Sequence, residues 1–292
     1  MNWIKYRVFY FALSTLLIGV GGTSLALWGL NLGLEFKGGT LVEYKIDTEI
    51  ENEKIISDLA QNGIAVSSIQ KVGEDSYIFK LEEITEENRE KISELLPQLV
   101  GADITEKRFE QVGPSIGPEL IKKTYYAVLI ATITILLWVA YQFKSIKYGV
   151  SAILAMLHDS FILLGMFALL GHLFQAEVDF LFITAILTTL SFSVHDTIVV
   201  YDRIREIRKK NGGEIGEIAN RAISETMRRS INNSLTIIFM LLALIVFGGN
   251  SIRWFSVALL LGTILGTYSS PFIAVPLLVT WEGLQRRFKK GQ

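Results

Sequence analysis

Ionisable side chains occur at three points inside long apolar stretches of this sequence. His158 and Asp159 are neighbours in one stretch, His195 and Asp196 are neighbours in another, and Arg229 opens a third. A charge at the centre of a bilayer costs about 2.5 to 3.5 kcal/mol, so such residues commonly belong to ion or proton pathways. The chemistry available to them is the loading of a proton onto a carboxyl group and its release beside a counter-charge.

Asp196 and Arg229 form the favoured proton-relay pair. We expect them near the cytoplasmic ends of consecutive membrane helices, at matched depth. An opposite charge lowers the pKa of a carboxyl group and desolvation raises it, so a small helix movement would switch the proton affinity. Asp159, His158 and His195 are further candidates for the relay. Two plainer interpretations stay open, with Asp196 as a buried neutral acid and Arg229 as an ordinary positive residue of the cytoplasmic side.

Six apolar stretches can carry these residues across a bilayer, which takes about 20 residues per helix. The sequence predicts crossings at approximately residues 8–30, 125–141, 148–170, 180–201, 231–247 and 254–281. Lys5 and Arg7 precede the first stretch as in a signal peptide. That stretch is too long for a signal core and lacks a clear small-x-small cleavage site, so we expect a retained helix. Gly262 and Gly266 form a GxxxG pattern whose plain interpretation is close helix packing.

The composition also indicates a membrane protein. Of the 292 residues, 50% are hydrophobic and 20% are charged, and the mean hydropathy is +0.40. A net charge of -1 gives no case for nucleic-acid binding, and the absence of cysteine excludes a disulfide scaffold or a thiolate metal site. The charge is uneven, because residues 31–122 hold 19 acidic and 10 basic side chains, a net of -9.

The distribution of basic residues predicts the orientation and the domain organisation. Lys and Arg gather at residues 5–7, 144–147, 203–229 and 286–290, which the positive-inside rule assigns to the cytoplasm. We therefore expect both termini to be cytoplasmic. The predicted parts are a cytoplasmic N-terminus with the first membrane helix (1–30), an acidic extracytoplasmic domain (31–122), and helices 2–6 with cytoplasmic loops and a C-terminal tail (123–292).

The acidic domain has the pattern of a small α+β fold. Strands are predicted at residues 41–47, 66–72, 77–81 and 104–112, with a turn at residues 73–75. A capping box at residues 48–51 predicts a helix that ends near Gln61, and Thr85 opens a second helix. The order βαββαβ is ferredoxin-like. The segment contains no His and no Cys, so we expect no catalytic, metal or cofactor site and a protein that is not an enzyme.

Glycines punctuate both connections between this domain and the membrane helices. Gly38 and Gly39 follow the first helix, and Gly113 and Gly117 precede the second. A hinge and a plain turn explain such glycines about equally well. The hinge interpretation predicts that the acidic domain moves relative to the helices.

Several blocks together resemble the SecF family of bacterial protein-export membrane proteins, within the resistance-nodulation-division superfamily. The blocks are residues 33–40, 112–120, 158–159, 196–206, 222–230 and 242–249. By their place in the motifs, Asp196 looks like the family's proton-carrying aspartate and Arg229 like its arginine in the following helix. Glu35, His195 and Arg228 depart from the family pattern, which commonly has aspartate and asparagine at the first two positions and a single arginine at the third.

The resemblance implies a fold with six transmembrane helices and one small ferredoxin-like extracytoplasmic domain, in the bacterial cytoplasmic membrane. It implies use of the proton-motive force, with SecD, to promote late preprotein translocation. The implied partners are SecD, the SecYEG translocon with SecA, YajC, the preprotein and protons, without nucleic acid. A proton-coupled small-molecule exporter subunit of the same superfamily and a non-transporting scaffold are the alternatives. Six helices are about half of such a pseudo-symmetric transporter, which implies a second subunit.

Overall fold

The computed structural model describes residues 2–73, 75–82, 84–113 and 116–290, with the backbone alone at 116, 250 and 286–290. A short 3-10 helix at Trp3–Tyr6 precedes the main elements. The elements are α1 (Arg7–Trp28), α2 (Leu34–Lys37), β1 (Gly39–Ile46), α3 (Asn52–Gln61), β2 (Val66–Val72), β3 (Ser76–Leu81), α4 (Glu86–Val100), β4 (Ile104–Val112), α5 (Ile116–Phe143), α6 (Ile146–Phe174), α7 (Phe180–Asn211), α8 (Ile215–Phe247), α9 (Asn250–Ser269) and α10 (Val275–Lys290).

Six helical spans in the described ranges are long and apolar enough to cross a membrane, which confirms the predicted number of crossings. They are α1, α5, α6, α7, α8 and the continuous run of α9 and α10. A π-helical segment, Ser270–Ala274, joins α9 to α10 inside the sixth crossing, and the sequence analysis missed it. Pro271 lies in this segment and lacks a backbone N–H, so regular α-helical hydrogen bonding cannot continue through it.

The charged segment between the predicted fourth and fifth crossings is mostly helical, and its placement in the cytoplasm stays a prediction. Only residues 212–214 separate α7 from α8, and Gly212 has a φ of +63° in this turn. Ion pairs maintain the helices beyond their apolar parts, as between Glu206 and Lys210 at 2.8 Å and between Arg203 and Glu225 across the two helices at 2.5 Å. Helices of 32 and 33 residues are about 50 Å long, well beyond a hydrocarbon core of about 30 Å.

Small residues allow close packing within the helix bundle. α1 packs on α6, and α9 packs on both α7 and α8. A Cβ atom added at Gly262 would lie 2.8 Å from Thr189 Cβ, and one added at Gly266 would lie 3.3 Å from Ser193 Cβ. The GxxxG pattern therefore serves the contact between α9 and α7, which agrees with its packing interpretation.

The acidic part of the chain folds as a four-stranded antiparallel sheet with the order β2-β3-β1-β4. Together with α3 and α4 this is the predicted βαββαβ ferredoxin-like arrangement. Val42, Tyr44 and Phe79 belong to its core, which α3 and α4 supply with Leu59 and Leu96. The compact unit that contains the sheet spans Leu32–Tyr125, and the chain on either side of it forms a second unit.

The two predicted helix starts in this domain have different outcomes. Thr85 caps α4, since its hydroxyl accepts a hydrogen bond from the Asn88 backbone N–H, which confirms that start. The capping box at residues 48–51 is wrong, because α3 begins only at Asn52 and has no side-chain cap. Thr48 instead offers its carbonyl oxygen to the Tyr77 hydroxyl, and Glu49 pairs with Lys71 at 3.1 Å. The turn predicted at residues 73–75 includes residue 74, which lies outside the described residues.

Candidate functional site

A buried carboxyl group joins three membrane helices. Asp159 is placed by α6 and is only 1% exposed. Its Oδ2 atom accepts hydrogen bonds from the Ser193 hydroxyl of α7 at 2.7 Å and the Ser269 hydroxyl of α9 at 2.5 Å. Its Oδ1 atom lies 2.9 Å from Nδ1 of His158. We call these four side chains the Asp159 cluster.

Hydroxyl groups continue this cluster toward the π-helical segment. The Ser270 hydroxyl donates to the Ser193 backbone carbonyl at 3.1 Å and lies 2.9 Å from the Thr197 hydroxyl. One turn further along α7, the Tyr201 hydroxyl donates to the Ala274 carbonyl at 3.1 Å. The hydroxyl-rich sequence of the fourth crossing thus has a direct structural use, because its buried members bind α7 to α6 and to the sixth crossing.

Asp196 lies on a different side of α7, toward α8. It is partly buried, and its Oδ2 atom accepts a hydrogen bond from the Ser230 hydroxyl. A cavity of about 140 Å³ is lined by His195, Asp196, Val199, Arg229, Ser230 and Asn233. Since a water molecule takes roughly 30 Å³ of liquid, this cavity has the volume for a few water molecules.

The structure brings Asp196, His195 and Arg229 to this one cavity but does not pair the acid with the arginine. Among the described residues, Asp196 and Arg229 form no ion pair within 4.0 Å, and the Arg229 side chain is exposed. His158 and Asp159 line none of this cavity and form the separate buried cluster. The relay role of all five residues stays a prediction.

Polar side chains also lie on an outward-facing part of the spans α7 and α8. His195, Asn232, Asn233 and Arg229 are exposed, and α8 buries only 11% of its most apolar stretch. Polar groups that face hydrocarbon are costly, so membrane proteins cover them with protein or with water-filled space. This surface is therefore unsuited to direct contact with lipid. We call it the α7–α8 face.

A buried ion-pair network, which the sequence analysis missed, ties the ends of three helices together. Glu282 of α10 is 4% exposed and accepts from Lys147 of α6 at 2.6 Å. It also accepts from two nitrogens of the Arg208 guanidinium in α7, at 2.8 and 3.2 Å. One feature of the sequence could have pointed to this network, because Glu282 is the only acidic residue after Glu225.

Gly39 and Gly117, two of the four predicted hinge glycines, lie at close backbone contacts within the Leu32–Tyr125 unit, whereas a Cβ atom at Gly113 would meet nothing within 4 Å. Gly39 has a φ of +122°, and a Cβ atom there would lie 2.6 Å from the Leu81 carbonyl oxygen. A Cβ atom at Gly117 would lie 2.9 Å from the Phe36 carbonyl carbon. These contacts require glycine for steric reasons alone. Residues 114 and 115, which belong to the second predicted junction, lie outside the described residues, and the hinge stays a prediction.

No three His, Asp or Glu side chains of the described ranges gather in a geometry that could hold a metal ion. The arrangement offers proton-binding groups, hydroxyl donors and a cavity of about 140 Å³ instead. Its chemical capacity is the binding and transfer of protons between helices that contact one another.

Two family models match this chain. The model described as "Protein export membrane protein SecD/SecF, C-terminal" matches residues 91–284, and the "SecD/SecF GG Motif" matches residues 21–50. The second match includes Gly38 and Gly39, two of the predicted hinge glycines. Together the two matches include both membrane aspartates and the arginine discussed above.

Curated relatives cover nearly the whole chain. It is 41% identical to the protein translocase subunit SecF of Thermobaculum terrenum, over 96% of this chain and 93% of that protein. It is 37% identical to the protein of the same name from Anaerolinea thermophila, over 100% of this chain and 98% of that protein. The protein translocase subunit SecDF of Bacillus subtilis is 33% identical over 99% of this chain, which spans 39% of that longer protein.

A solved structure has the same fold. The crystal structure of SecDF, a translocon-associated membrane protein from Thermus thermophilus, matches with a TM-score of 0.86 at 33% sequence identity. The match covers 97% of this chain and 39% of that chain. The remainder of the SecDF chain lies outside this match.

Proposed function

We propose that this chain, which belongs to the SecD/SecF family as a SecF subunit of the protein translocase, uses the proton-motive force to promote late preprotein translocation. The proposed role is energy coupling in transport rather than catalysis. We place it in the bacterial cytoplasmic membrane with both termini in the cytoplasm and the ferredoxin-like domain outside, as the basic segments indicate.

The observation that carries the proposal is the shared cavity of Asp196 and Arg229. The acid is partly buried and bonded to Ser230, while the arginine lines the same cavity without forming an ion pair with it. An approach of Arg229 would favour the ionised carboxylate, and its withdrawal would favour the protonated acid. One charge that crosses the whole membrane field gains about 2.3 kcal/mol per 100 mV, enough to shift a two-state equilibrium substantially.

A SecD subunit is the proposed partner on the α7–α8 face. That face exposes His195, Asn233 and Arg229 within membrane spans, and a second helical subunit would remove them from lipid. The fused SecDF relatives support SecD as this subunit, because this chain matches only 39% of their length. SecYEG, SecA, YajC and the translocating preprotein are proposed as the wider assembly on the strength of the family alone.

The test is gradient-dependent export in vesicles that contain this chain, SecD, SecYEG and SecA. We expect Asp196→Asn to insert and copurify with SecD but to abolish the stimulation by a proton gradient, because an amide cannot cycle a proton. Arg229→Met is expected to uncouple as well, through loss of the counter-charge. Asp202→Asn makes the same change on α7 at an exposed position that does not line the cavity, and it should leave the stimulation intact.

Three results would contradict the proposal. Normal gradient-stimulated export by Asp196→Asn would assign proton transfer to another carboxyl group. A variant that fails to assemble with SecD would give Asp196 a structural role instead. A wild-type complex whose export ignores collapse of the gradient would remove the motor function and favour a scaffold.

A further inference from the structure

We infer that His158 and Asp159 form a second proton-binding site, separate from the Asp196 cavity, and that the sixth crossing responds to its protonation. This inference rests on the proposed proton coupling and assigns that coupling an additional site. Asp159 is 1% exposed and His158 is 9% exposed, whereas Asp196 is only partly buried. The two sites share α7, through Ser193 at one and Asp196 at the other.

The surroundings of Asp159 allow both of its protonation states. Two ionisable groups interact with Asp159, His158 from its own helix and Tyr268 from α9. Two hydroxyl groups also face it, that of Ser193 from α7 and that of Ser269 from α9. Within the described residues its only ion-pair partner is His158. A permanent lone charge would be costly at this burial. An ionised acid can accept from both hydroxyls and from the Nδ1–H of a neutral imidazole, and a protonated acid can donate to Nδ1 when the neutral ring carries its proton on Nε2.

The free nitrogen of His158 is the second observation. Its Nε2 atom is buried and has no hydrogen-bond partner in the described part of the chain, while its Nδ1 atom faces Asp159. A proton that arrives at Nε2 makes the ring an imidazolium, and the proton on Nδ1 can then pass to Asp159 Oδ1. The ring ends neutral with its proton on Nε2, and the dyad has gained one proton and lost its negative charge.

The hydrogen bonds at Oδ2 provide the structural response. Ser193 and Ser269 donate to a carboxylate more strongly than to a neutral acid, since charge-assisted hydrogen bonds are about twice as strong as neutral ones. Protonation therefore loosens the attachment of α6 to α7 and to α9. Ser269 is followed directly by the π-helical segment, and π-bulges frequently lie at functional sites. Movement of that segment is the expected consequence.

The experiment is infrared difference titration of the full chain in lipid nanodiscs, following the carbonyl stretch of protonated carboxyl groups above about pH 5.5, where exposed carboxyl groups are ionised. We expect Asp159→Asn to remove one titrating band and Asp196→Asn to leave that band in place. The measurement needs no export, so a failure of the proposed function in vesicles does not affect it. If Asp159→Asn leaves every titrating band of the wild type unchanged, the inference is wrong.

A second variant keeps the carboxyl group, so its result is informative even if the Asp159→Asn protein misfolds. Ser269→Ala removes one hydrogen-bond donor from Oδ2 of Asp159, which should shift the carbonyl frequency of the Asp159 band. Ser256→Ala is the matched control, a buried serine of α9 that bonds the Ile252 carbonyl of its own helix. Equal frequencies of this band in the two serine variants would overturn the inference.

Discussion

Replacement of Gly165 by alanine should weaken the packing of α1 against α6. A Cβ atom at this position would lie 2.7 Å from the carbonyl carbon of Gly21 and 2.8 Å from its oxygen. These are backbone atoms of α1, which cannot rotate aside as a flexible side chain can. Carbon atoms in contact prefer about 3.5 to 4.0 Å, so the two helices must separate by roughly 1 Å at their crossing.

The expected loss of stability follows from how few buried residues attach α1 to the helix bundle. Only 17% of its most apolar stretch is buried, and its buried residues are Ser14, Gly21 and Ser24 on one face. Overpacking lowers the free energy of unfolding by about 1 to 3 kcal/mol, and alanine in place of a helical glycine raises it by up to about 1 kcal/mol. We therefore expect Gly165→Ala to lower the free energy of unfolding by about 1 to 2 kcal/mol.

The assay is thermal unfolding of a graded series in detergent. Gly21→Ala should cost less than Gly165→Ala, because its Cβ would meet Gly165 Cα at 3.3 Å. Gly19→Ala is the matched control on the same helix, since nothing lies within 4 Å of its Cβ position. The order of melting temperatures should be Gly19→Ala highest and Gly165→Ala lowest. Equal melting temperatures for Gly165→Ala and Gly19→Ala would refute the close-contact argument.

Two further variants test buried charges in the two units. Glu282→Gln removes a buried carboxylate from two cations that are 20% and 42% exposed, and should lower stability by about 1 kcal/mol. Glu217→Gln, exposed on α8, should melt like the wild type, and equal melting of both would contradict the network's role. Burial lowers the pKa of Lys80 in β3 to about 8, with Lys37 contributing, so the folded state holds this proton less tightly than the unfolded state. Wild-type stability should therefore fall as the pH drops from about 10.5 to 8 and stay low below that. Lys80→Met should stabilise at pH 7 by about 1 kcal/mol, a value reduced for partial exposure, and much less at pH 10.5. Thermal melts at pH 7 and pH 10.5 measure the effect, with Lys54→Met, at an exposed position, as the control. If Lys80→Met increased stability equally at both pH values, the buried-charge explanation would be contradicted.

Properties that depend on local sequence were predictable here. The six crossings follow from apolar length, since about 20 apolar residues suffice to span a bilayer wherever they occur. Strands β2 and β4 have the predicted bounds, because alternation and flanking turn residues are local signals. The Thr85 cap depends on one hydroxyl and a backbone N–H three residues away.

Local patterns also misled at two places. The apolar pattern ended the fourth stretch at residue 201 and began the fifth at residue 231, yet α7 continues to Asn211 and α8 begins at Ile215, with ion pairs one helical turn apart in the charged segment. The capping box at residues 48–51 has suitable residue types, but contacts with Tyr77 and Lys71 elsewhere in the domain hold Thr48 and Glu49 outside the helix. Tyr77 and Lys71 lie outside the scanned motif, so a local pattern could not include them.

The sequence by itself determined that ionisable groups lie inside membrane spans and which residue types they are. It could not determine which of them meet, because contact depends on the rotation of each helix about its own axis and on its packing against the others. Only the tertiary structure sets Ser269 against Asp159, 110 positions away, and Glu282 against Lys147, 135 positions away. It likewise places Asp196 beside Ser230 in a cavity shared with Arg229, with the acid bonded to the hydroxyl rather than to the guanidinium.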